Sequence, residues 1–395
     1  SLGAGRLGDR FGIPQVVGYI VVGLLFGDSG LHLIPSPLVE NFAPLVNIAL
    51  ALIGFMVGGE LKYEVFRRQG WQFLSILLCE GLLAMATVTF LVWMWTGNAA
   101  IAILLGALSS ATAPAATVDV LWQYRSRGPV TTTILAIVAL DDGLGLILFG
   151  FAYAIAEALY AGGSLSAGRV MVGPLLEILY SLALGCGIGF ILDHLLPFIK
   201  NEENRLVMDL GGILLAAGMA VFFDLSLIMV AMAAGCWLAN THGNRNERSF
   251  EAVKAFTPPI YTLFFVLVGA RLKVSLLPQL GGIGLLYVLG RTSGKWIGAY
   301  FGARISGAAA TVRKYLGLAL FSQAGIALGL ALHVSEHFSR LGASGRQLGG
   351  VVINVIAATT FIVQIIGPPA VKLAITKAGE IPDKPRPADP DRPIE

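Results

Sequence analysis

The stretch PVTTTILAIVALDDGLGLILFG, residues 129–150, indicates the solvent in which this chain must fold. It is mostly apolar and carries no charge apart from Asp141 and Asp142, two adjacent carboxylates that follow twelve uncharged residues. A run of this length crosses a bilayer, which takes about 20 mostly apolar residues. An aspartate at the centre of a membrane helix costs about 2.5–3.5 kcal/mol even on the milder insertion scales. Two such residues side by side indicate a hydrated cavity or a bound cation, and a purely structural buried ion pair is the alternative.

The composition of the whole chain agrees with lipid as the main solvent. Of its 395 residues, 56% are hydrophobic and 13% are charged, whereas soluble domains carry about a quarter charged residues. The apolar runs are long and continuous, so they predict helices, because a β-barrel would need segments of about ten alternating residues. The formal net charge of +3 gives no support to nucleic-acid binding. No cofactor is predicted, since Cys79, Cys186 and Cys236 have no paired spacing.

The sequence therefore predicts an all-α integral membrane protein with about 13 transmembrane helices. A partial helix at residues 1–10 is included in that number. Residues 1–375 form the predicted transmembrane domain, and residues 376–395 a disordered cytoplasmic tail or a linker. The other predicted spans lie near residues 13–27, 41–66, 71–96, 99–123, 129–160, 168–198, 205–223, 225–240, 250–270, 277–303, 312–334 and 347–374.

The distribution of lysine and arginine predicts the orientation of the chain. Cytoplasmic loops of membrane proteins are enriched in these residues, and the richer side here includes the end of the chain. We therefore expect a bacterial inner-membrane protein with a cytoplasmic C-terminus. The richer side carries Arg6, Arg10, Lys62, Arg67, Arg68, Arg125, Arg127, Lys200, Arg205, Arg245, Arg248, Lys254, Arg304, Arg313 and Lys314. The opposite side carries Arg169, Arg271, Lys273, Arg340 and Arg346.

Two spans carry helix breakers at membrane depth. The span near 99–123 contains SSATAP, in which Pro114 removes a backbone donor and leaves free polar groups near Thr112. The span near 312–334 contains Ser322, Gln323 and Gly325 in LFSQAGIALGLAL. Irregular backbone inside a membrane is tolerated where it lines a polar cavity. The pair of breaks predicts inverted repeats whose half-helices meet at a substrate site, and kinked packing helices are the simpler alternative.

One cation on another helix would neutralise one of the two aspartates. Arg291 and Lys295 stand four residues apart in LLYVLGRTSGKWIGAYFGARISG, so they share a helix face. A buried lysine can release its proton, whereas arginine keeps its charge. If Lys295 pairs with Asp141, a cation that binds at Asp142 would weaken the pair and release protons. Either Lys295 or Arg291 could be the partner.

Two glutamates in apolar runs are weaker candidates. Glu60 lies near a basic end of its span, so we interpret it as an anchor at the membrane surface. Glu80 lies inside LLCEGLLAM and is harder to dismiss as an anchor. A contribution of Glu80 to an ion pathway or to a dimer contact is therefore retained as a possibility.

The chain resembles the monovalent cation/proton antiporters of the CPA2 group, of the sodium/proton antiporter type. The specific part of the resemblance is the adjacent aspartate pair with a membrane lysine further along the chain. Residue 28 departs from the resemblance, because an aspartate stands where the family often has proline, and Arg291 is an additional cation. The resemblance extends over FGIPQVVGYIVVGLLFGDSGL, ALIGFMVGGEL, ATAPAAT, ALDDGLGLILFG, LFFVLVGARL, GKWIGAYFGARISG and FSQAGIALGLAL.

The resemblance implies a transporter rather than an enzyme, with two crossed discontinuous helices. It also implies a homodimer in which a core, including about residues 71–160 and 277–334, moves against a dimerisation subdomain formed by the remaining helices. Asp142 would be the main ligand of a transient Na⁺ or Li⁺ ion and of protons, while Asp141 would pair with Lys295. The aspartate pair implies electrogenic exchange of two protons for one sodium ion. The crossing would contain Thr112, Pro114, Ser322, Gln323 and Gly325.

Three other functions are weighed against sodium/proton exchange. An intramembrane aspartyl protease would need two aspartates that converge on one water, whereas adjacent helical positions diverge by about 100°. A cation channel would normally build its filter from several subunits. A potassium/proton antiporter of the same fold, regulated by a cytosolic domain beyond the tail, is the nearest alternative.

Overall fold

A computed structural model of the chain describes residues 14–27, 29–33, 41–161, 167–199, 201–241, 243–271, 281–323 and 325–382. The partial helix predicted at residues 1–10 and Asp28 lie outside the described residues. The first half contains α1 (Gln15–Phe26), α2 (Ala43–Glu60), α3 (Tyr63–Thr96), α4 (Ala99–Leu108), α5 (Pro114–Gln123), α6 (Pro129–Ala161) and α7 (Ala167–Leu195). The second half contains α8 (Glu202–Phe222), α9 (Leu227–Thr241), α10 (Gly243–Arg271), α11 (Gly281–Ile305), α12 (Ala310–Tyr315), α13 (Gly325–Ser339) and α14 (Ala343–Ala378).

The described residues are almost entirely helical, which confirms the predicted fold class. Six helices are at least 18 residues long and apolar enough to cross a membrane by length and composition, and four shorter helices are also apolar. Large apolar side chains cover the outer surface, where hydrocarbon tails replace water as the solvent. Examples that are more than half exposed are Trp93, Ile191, Leu215 and Leu285.

One boundary differs from the prediction. The chain breaks at residues 61–62, and α3 begins at Tyr63, whereas the sequence placed the break between residues 66 and 71. The charges of Arg67 and Arg68 suggested a loop there. These residues instead lie in the first turns of a 34-residue helix that is longer than a membrane needs, so charged side chains near its end are tolerated.

The helices pack into two bundles. The first bundle consists of α1, α2, α7, α8, α9 and α10. The second consists of α3, α4, α5, α6, α11, α12, α13 and α14. In the second bundle, the order of a long helix, a broken helix and a long helix occurs twice, as the predicted inverted repeat requires. We call it the site bundle, because it contains the aspartate pair.

The last helix packs with the site bundle. We expected the residues after 334 to belong to the dimerisation subdomain, but α14 packs against α13, α5 and α11 within the site bundle. The helix α14 continues to Ala378 and Glu380 is buried, so ordered structure extends beyond the boundary predicted at residue 375. Residues 383–395 lie outside the described residues.

A row of glycines brings α11 against α3. Gly290, Gly294, Gly298 and Gly302 recur every four residues and therefore share one face of α11. A Cβ atom added at Gly298 would lie only 2.5 Å from the Cα atom of Glu80. Small residues at such spacing allow the backbones of membrane helices to approach closely. The row thus places the middle of α11 beside the middle of α3.

We expect Gly298→Ala to destabilise the protein, because its methyl group has no room beside the α3 backbone. Overpacking of this kind costs about 1–3 kcal/mol. The measurement is the melting temperature of the detergent-solubilised protein. Gly218→Ala is the control, because nothing lies within 4 Å of a Cβ atom added there. Equal melting temperatures for the two variants would contradict the close packing of α3 and α11.

Candidate functional site

Both predicted helix breaks are present, and they cross each other. The helix α4 ends at Leu108 and α5 begins at Pro114. In the second broken span, a 3-10 helix ends at Leu320 and α13 begins at Gly325. The N–H group of Ala113 donates a hydrogen bond of 3.0 Å to the carbonyl oxygen of Ser322. The two irregular segments are therefore joined directly, backbone to backbone.

Gln323 connects the second break to the end of α4. Its Nε2 atom donates to the carbonyl oxygen of Leu108 at 2.7 Å, one of the carbonyls that lose their helical partner where α4 ends. The Tyr287 hydroxyl group on α11 donates to Oε1 of Gln323 at 3.1 Å. Gln323 and Tyr287 are both fully buried. Gln323 thus satisfies a backbone group that no water could reach in a bilayer.

Arg291 binds the carbonyl groups of both breaks. Its Nη2 atom donates to the carbonyl oxygens of Ala111 and Ser322, each at 3.0 Å. Its Nη1 atom donates to the carbonyl oxygen of Phe321 at 2.6 Å. Helix C-termini carry a partial negative charge, so one guanidinium group neutralises two such ends. Among the described residues, the hydrogen bonds of Arg291 go to these main-chain oxygens.

Lys295 lies one turn further along α11 and binds two carboxylates. Its Nζ atom lies 2.6 Å from Oε2 of Glu80 and 3.2 Å from Oδ2 of Asp141, and all three side chains are fully buried. The structure therefore brings Lys295, rather than Arg291, into contact with Asp141. The sequence left open whether Lys295 or Arg291 pairs with Asp141. The positions of these two residues along α11 decide this.

Asp142 lies beside this cluster and at the boundary between the two bundles. It is 3% exposed, and no hydrogen bond to it is present within the described part of the chain. A Cβ atom added at the next residue, Gly143, would lie 3.2 Å from Cε of Met229 on α9. Three residues after Asp142, a Cβ atom added at Gly145 would lie 3.3 Å from Cβ of Ala111 in the first break. Asp142 thus lies close to both the crossing and the facing bundle.

Several oxygen atoms of the site have unused capacity to bind a cation or a proton. Within the described residues, these buried atoms have no hydrogen-bond partner: Oδ1 of Asp141, Oε1 of Glu80, Oγ1 of Thr112 and Oγ of Ser322. Buried polar atoms are normally paired. Carboxylate and hydroxyl oxygens are also the ligand type that hard cations prefer. The unpaired oxygens near the crossing are therefore of the type that binds small cations.

Sequence reasoning underestimated Glu80 and missed Tyr287. Both lie on helices that the glycine row brings together. The contact of Glu80 with Lys295 joins residues 215 positions apart, and that of Tyr287 with Gln323 joins residues 36 positions apart. The spacing of the glycines on α11 was the available signal that another helix packs closely beside Lys295. Glu60, by contrast, is the exposed last residue of α2, in agreement with a surface anchor.

Buried carboxylates that share a lysine beside two crossed helix breaks define an ion-coupled membrane transporter. Residues 1–373 match the family described as "Sodium/hydrogen exchanger, transmembrane". The chain belongs to this family of cation/proton exchangers, which confirms the resemblance seen in its sequence.

The chain is similar to antiporters and to a potassium-efflux system protein from several organisms. It is 26% identical over 336 residues to the Na⁺/H⁺ antiporter of Enterococcus hirae, which covers 82% of this chain and 84% of that protein. It is 25% identical over 384 residues to the Na⁺/H⁺-K⁺ antiporter GerN of Bacillus cereus. This match covers 93% of this chain and 92% of that protein. Similarity to the glutathione-regulated potassium-efflux system protein KefC of Salmonella typhi, at 24% identity, covers 79% of this chain and 50% of that protein.

The fold is that of a solved antiporter. A structure of the sodium proton antiporter MjNhaP1 from Methanocaldococcus jannaschii matches with a TM-score of 0.75 and 18% sequence identity. The match covers 95% of this chain and 92% of that chain. The identity is low, so the comparison shows the shared fold.

We expect Lys295→Gln to destabilise the protein and Glu80→Gln to restore part of the loss when added. Removing one partner of a buried ion pair costs about 3–5 kcal/mol, because it leaves the other charge uncompensated. Neutralising Glu80 in the double variant removes one such charge. The melting temperatures of the single and double variants in detergent measure both effects.

Lys62→Gln is the matched control, because Lys62 is exposed between α2 and α3. Strictly additive losses for Lys295→Gln and Glu80→Gln would show that the two side chains are not coupled. A Lys295→Gln protein as stable as the control would contradict the buried ion pair altogether.

Proposed function

We propose that the chain is an electrogenic sodium/proton antiporter that exchanges Na⁺ or Li⁺ for protons by alternating access at Asp141 and Asp142. The observation that supports it best is that the two aspartates differ in their partners. Asp141 is bound to Lys295 at 3.2 Å, whereas Asp142 has no such partner and lies where the two bundles meet. Asp142 is therefore the carboxylate available to a cation or a proton, and Thr112, Ser322 and Gln323 line the crossing beside it.

Formal charges support a change of net charge during transport. Glu80, Asp141 and Asp142 contribute −3 when ionised and Lys295 contributes +1, so the cluster carries −2. Two bound protons reduce this charge to zero, while one bound Na⁺ ion reduces it to −1. Exchange of two protons for one sodium ion therefore moves one net charge across the membrane. A charge left uncompensated at this depth is costly, which favours a site that always holds one of its two substrates.

Lys295 couples the two substrates in this proposal. A cation at Asp142 repels the ammonium group and weakens its bond to Asp141, which favours release of a proton from the cluster. A proton that returns to the cluster displaces the cation in the same way. The lysine has a second acceptor, Glu80, at 2.6 Å, so it has a partner whichever aspartate is occupied.

Alternating access is proposed as a movement of the site bundle against the other bundle. The aspartate pair lies near their boundary, so a relative displacement would expose it first to one side and then to the other. We propose that the first bundle forms the dimer contact of a homodimer and that the chain lies in the bacterial inner membrane with a cytoplasmic C-terminus.

Potassium/proton exchange is the second candidate. The names of GerN and KefC both include potassium, and KefC is about twice as long as the matched region. An antiporter of this fold regulated by a further cytosolic domain would also use the aspartate pair. The choice between sodium and potassium is a matter of which ion drives proton movement.

We expect Asp142→Asn to abolish cation-driven proton movement, because the amide cannot bind and release a proton. The measurement is the fluorescence of a pH-sensitive dye in liposomes with reconstituted protein after addition of Na⁺ or K⁺. Asp224→Asn is the control, because Asp224 is an exposed aspartate after α8. A response to sodium that the variant loses supports sodium exchange, and a response to potassium alone supports the second candidate. Near-normal exchange by a folded Asp142→Asn protein would overturn the site.

We expect folded Lys295→Gln protein to lose charge movement more than cation binding. Without the ammonium group, the cluster has one fewer group to exchange protons with Asp141. A membrane-potential dye in the same liposomes measures charge movement, and the cation concentration at half-maximal response measures binding. An unchanged potential signal would show that Lys295 has a structural role only.

A further inference from the structure

The helix that carries the aspartate pair begins without a cap of its own. The first N–H groups of a helix have no partner within it, and the side chain of the preceding residue usually accepts from one of them. In α6 the first residue is Pro129 and the preceding residue is Gly128, which has no side chain. The N–H groups of Val130 and Thr131 therefore need an acceptor from elsewhere in the fold.

Glu380, about 250 residues away in the sequence, is that acceptor. Its Oε1 atom accepts from the N–H of Val130 at 2.7 Å, and its Oε2 atom accepts from the N–H of Thr131 at 2.7 Å. Oε2 also accepts from the Thr131 hydroxyl group at 2.6 Å. A carboxylate at a helix N-terminus is further stabilised by the positive end of the helix dipole. One side chain thus makes three hydrogen bonds to the first turn of α6.

The surroundings are shaped to admit this carboxylate. A Cβ atom at Gly128 would lie 2.6 Å from Cγ of Glu380, and Gly128 has a φ angle of 153° that other residues rarely adopt. The N–H of Arg127 donates to the main-chain oxygen of Glu380 at 3.0 Å. Glu380 is 6% exposed. The residue is held by both its backbone and its side chain, so its position is fixed.

The end of α14 delivers Glu380 to this place. Gly379 terminates the helix with a left-handed φ angle of 71° and donates to the carbonyl oxygen of Thr376 at 3.1 Å. The N–H of Glu380 then donates to the carbonyl oxygen of Ile375 at 3.0 Å. These bonds satisfy the last carbonyls of α14 in the usual way for a glycine C-cap. The first residues after α14 are therefore joined rigidly to the beginning of α6.

We propose that Glu380 is a positioning residue for cation exchange, because it fixes α6, and with it Asp141 and Asp142, against the end of α14. The inference rests on the proposed function of the aspartate pair. Asp141 lies ten residues beyond Thr131, or about 15 Å along a continuous helix that moves as one body. A shift or rotation of the first turn therefore displaces the aspartates relative to Lys295 and the crossing.

The experiment compares wild-type protein with Glu380→Gln, Thr131→Val and a matched control in the same liposome assay. Glu380→Gln keeps the shape of the side chain but replaces one acceptor oxygen with an NH₂ group that faces an N–H donor. Thr131→Val removes one donor and is the milder test if the glutamine variant fails to fold. Glu251→Gln is the control, because Glu251 is an exposed glutamate on α10.

The expected result is a higher apparent KM for the transported cation with a nearly unchanged maximal rate. Loss of one helix cap corresponds to a factor of about five in an equilibrium constant. Glu380→Asp, which keeps the charge, should recover part of the affinity. Glu380→Gln and Thr131→Val combined should give less than the product of their separate effects, since both break the same contact. A KM equal to that of Glu251→Gln would overturn the proposal.

Hydrogen–deuterium exchange separates failure of this proposal from failure of the proposed function. Exchange should become faster in Glu380→Gln at residues 128–134, where the cap is lost, and also at residues 138–146, around the aspartates. This readout needs no transport. Faster exchange confined to residues 128–134 would show a local structural cap and overturn the positioning role. Wild-type protein that moves no cation would refute the proposed function, while the exchange at residues 138–146 would still decide the role of Glu380.

Discussion

A charge in the middle of a bilayer must be neutralised by a neighbouring group, and the structure of the site bundle depends on this constraint. Lys295 binds Glu80 and Asp141 together and offsets one of their two charges, with both carboxylates fully buried. The close approach of α3 and α11 is needed for these bonds, because a lysine can reach two helices only where their backbones are near. The glycine row thus makes the buried ion pair possible, and the ion pair in turn lies beside Asp142.

The crossed breaks pose the same problem for uncharged groups. A helix that stops inside a membrane exposes carbonyl oxygens that no water can satisfy. Arg291 and Gln323 donate hydrogen bonds to these oxygens, so Arg291 and Lys295 have separate tasks although they lie one turn apart. Arginine, with five donors in a planar group, suits several carbonyl oxygens at once. Lysine, which can lose its proton, suits a site that exchanges protons.

The features that the sequence predicted are those set by local composition. The apolar runs, the breaks at Pro114 and near Ser322, and the aspartates within their span are visible because each violates the usual composition of a membrane helix. The sequence also places a lysine on α11, but which carboxylates it meets depends on how α11 packs.

The features that escaped prediction depend on contacts between distant segments. Glu80 stands out in its apolar run, but its partner Lys295 lies more than 200 residues later in the chain. The packing of α14 in the site bundle is likewise invisible locally, because its apolar pattern would suit either bundle. Glu380 follows the end of the apolar stretch and resembles the start of a polar tail, and its contacts with α6 show otherwise.

The glycine row of α11 also constrains how this sequence can evolve. Every substitution of a glycine adds at least a Cβ atom, and at Gly294, Gly298 and Gly302 that atom meets the backbone of α3 at 3.0 Å or less. Substitutions are therefore not tolerated at these glycines, although the glycines contact neither an ion nor a proton. A library of all single substitutions would show these glycines as intolerant as the aspartates themselves. Functional importance inferred from such a map would need to be separated from the demands of packing.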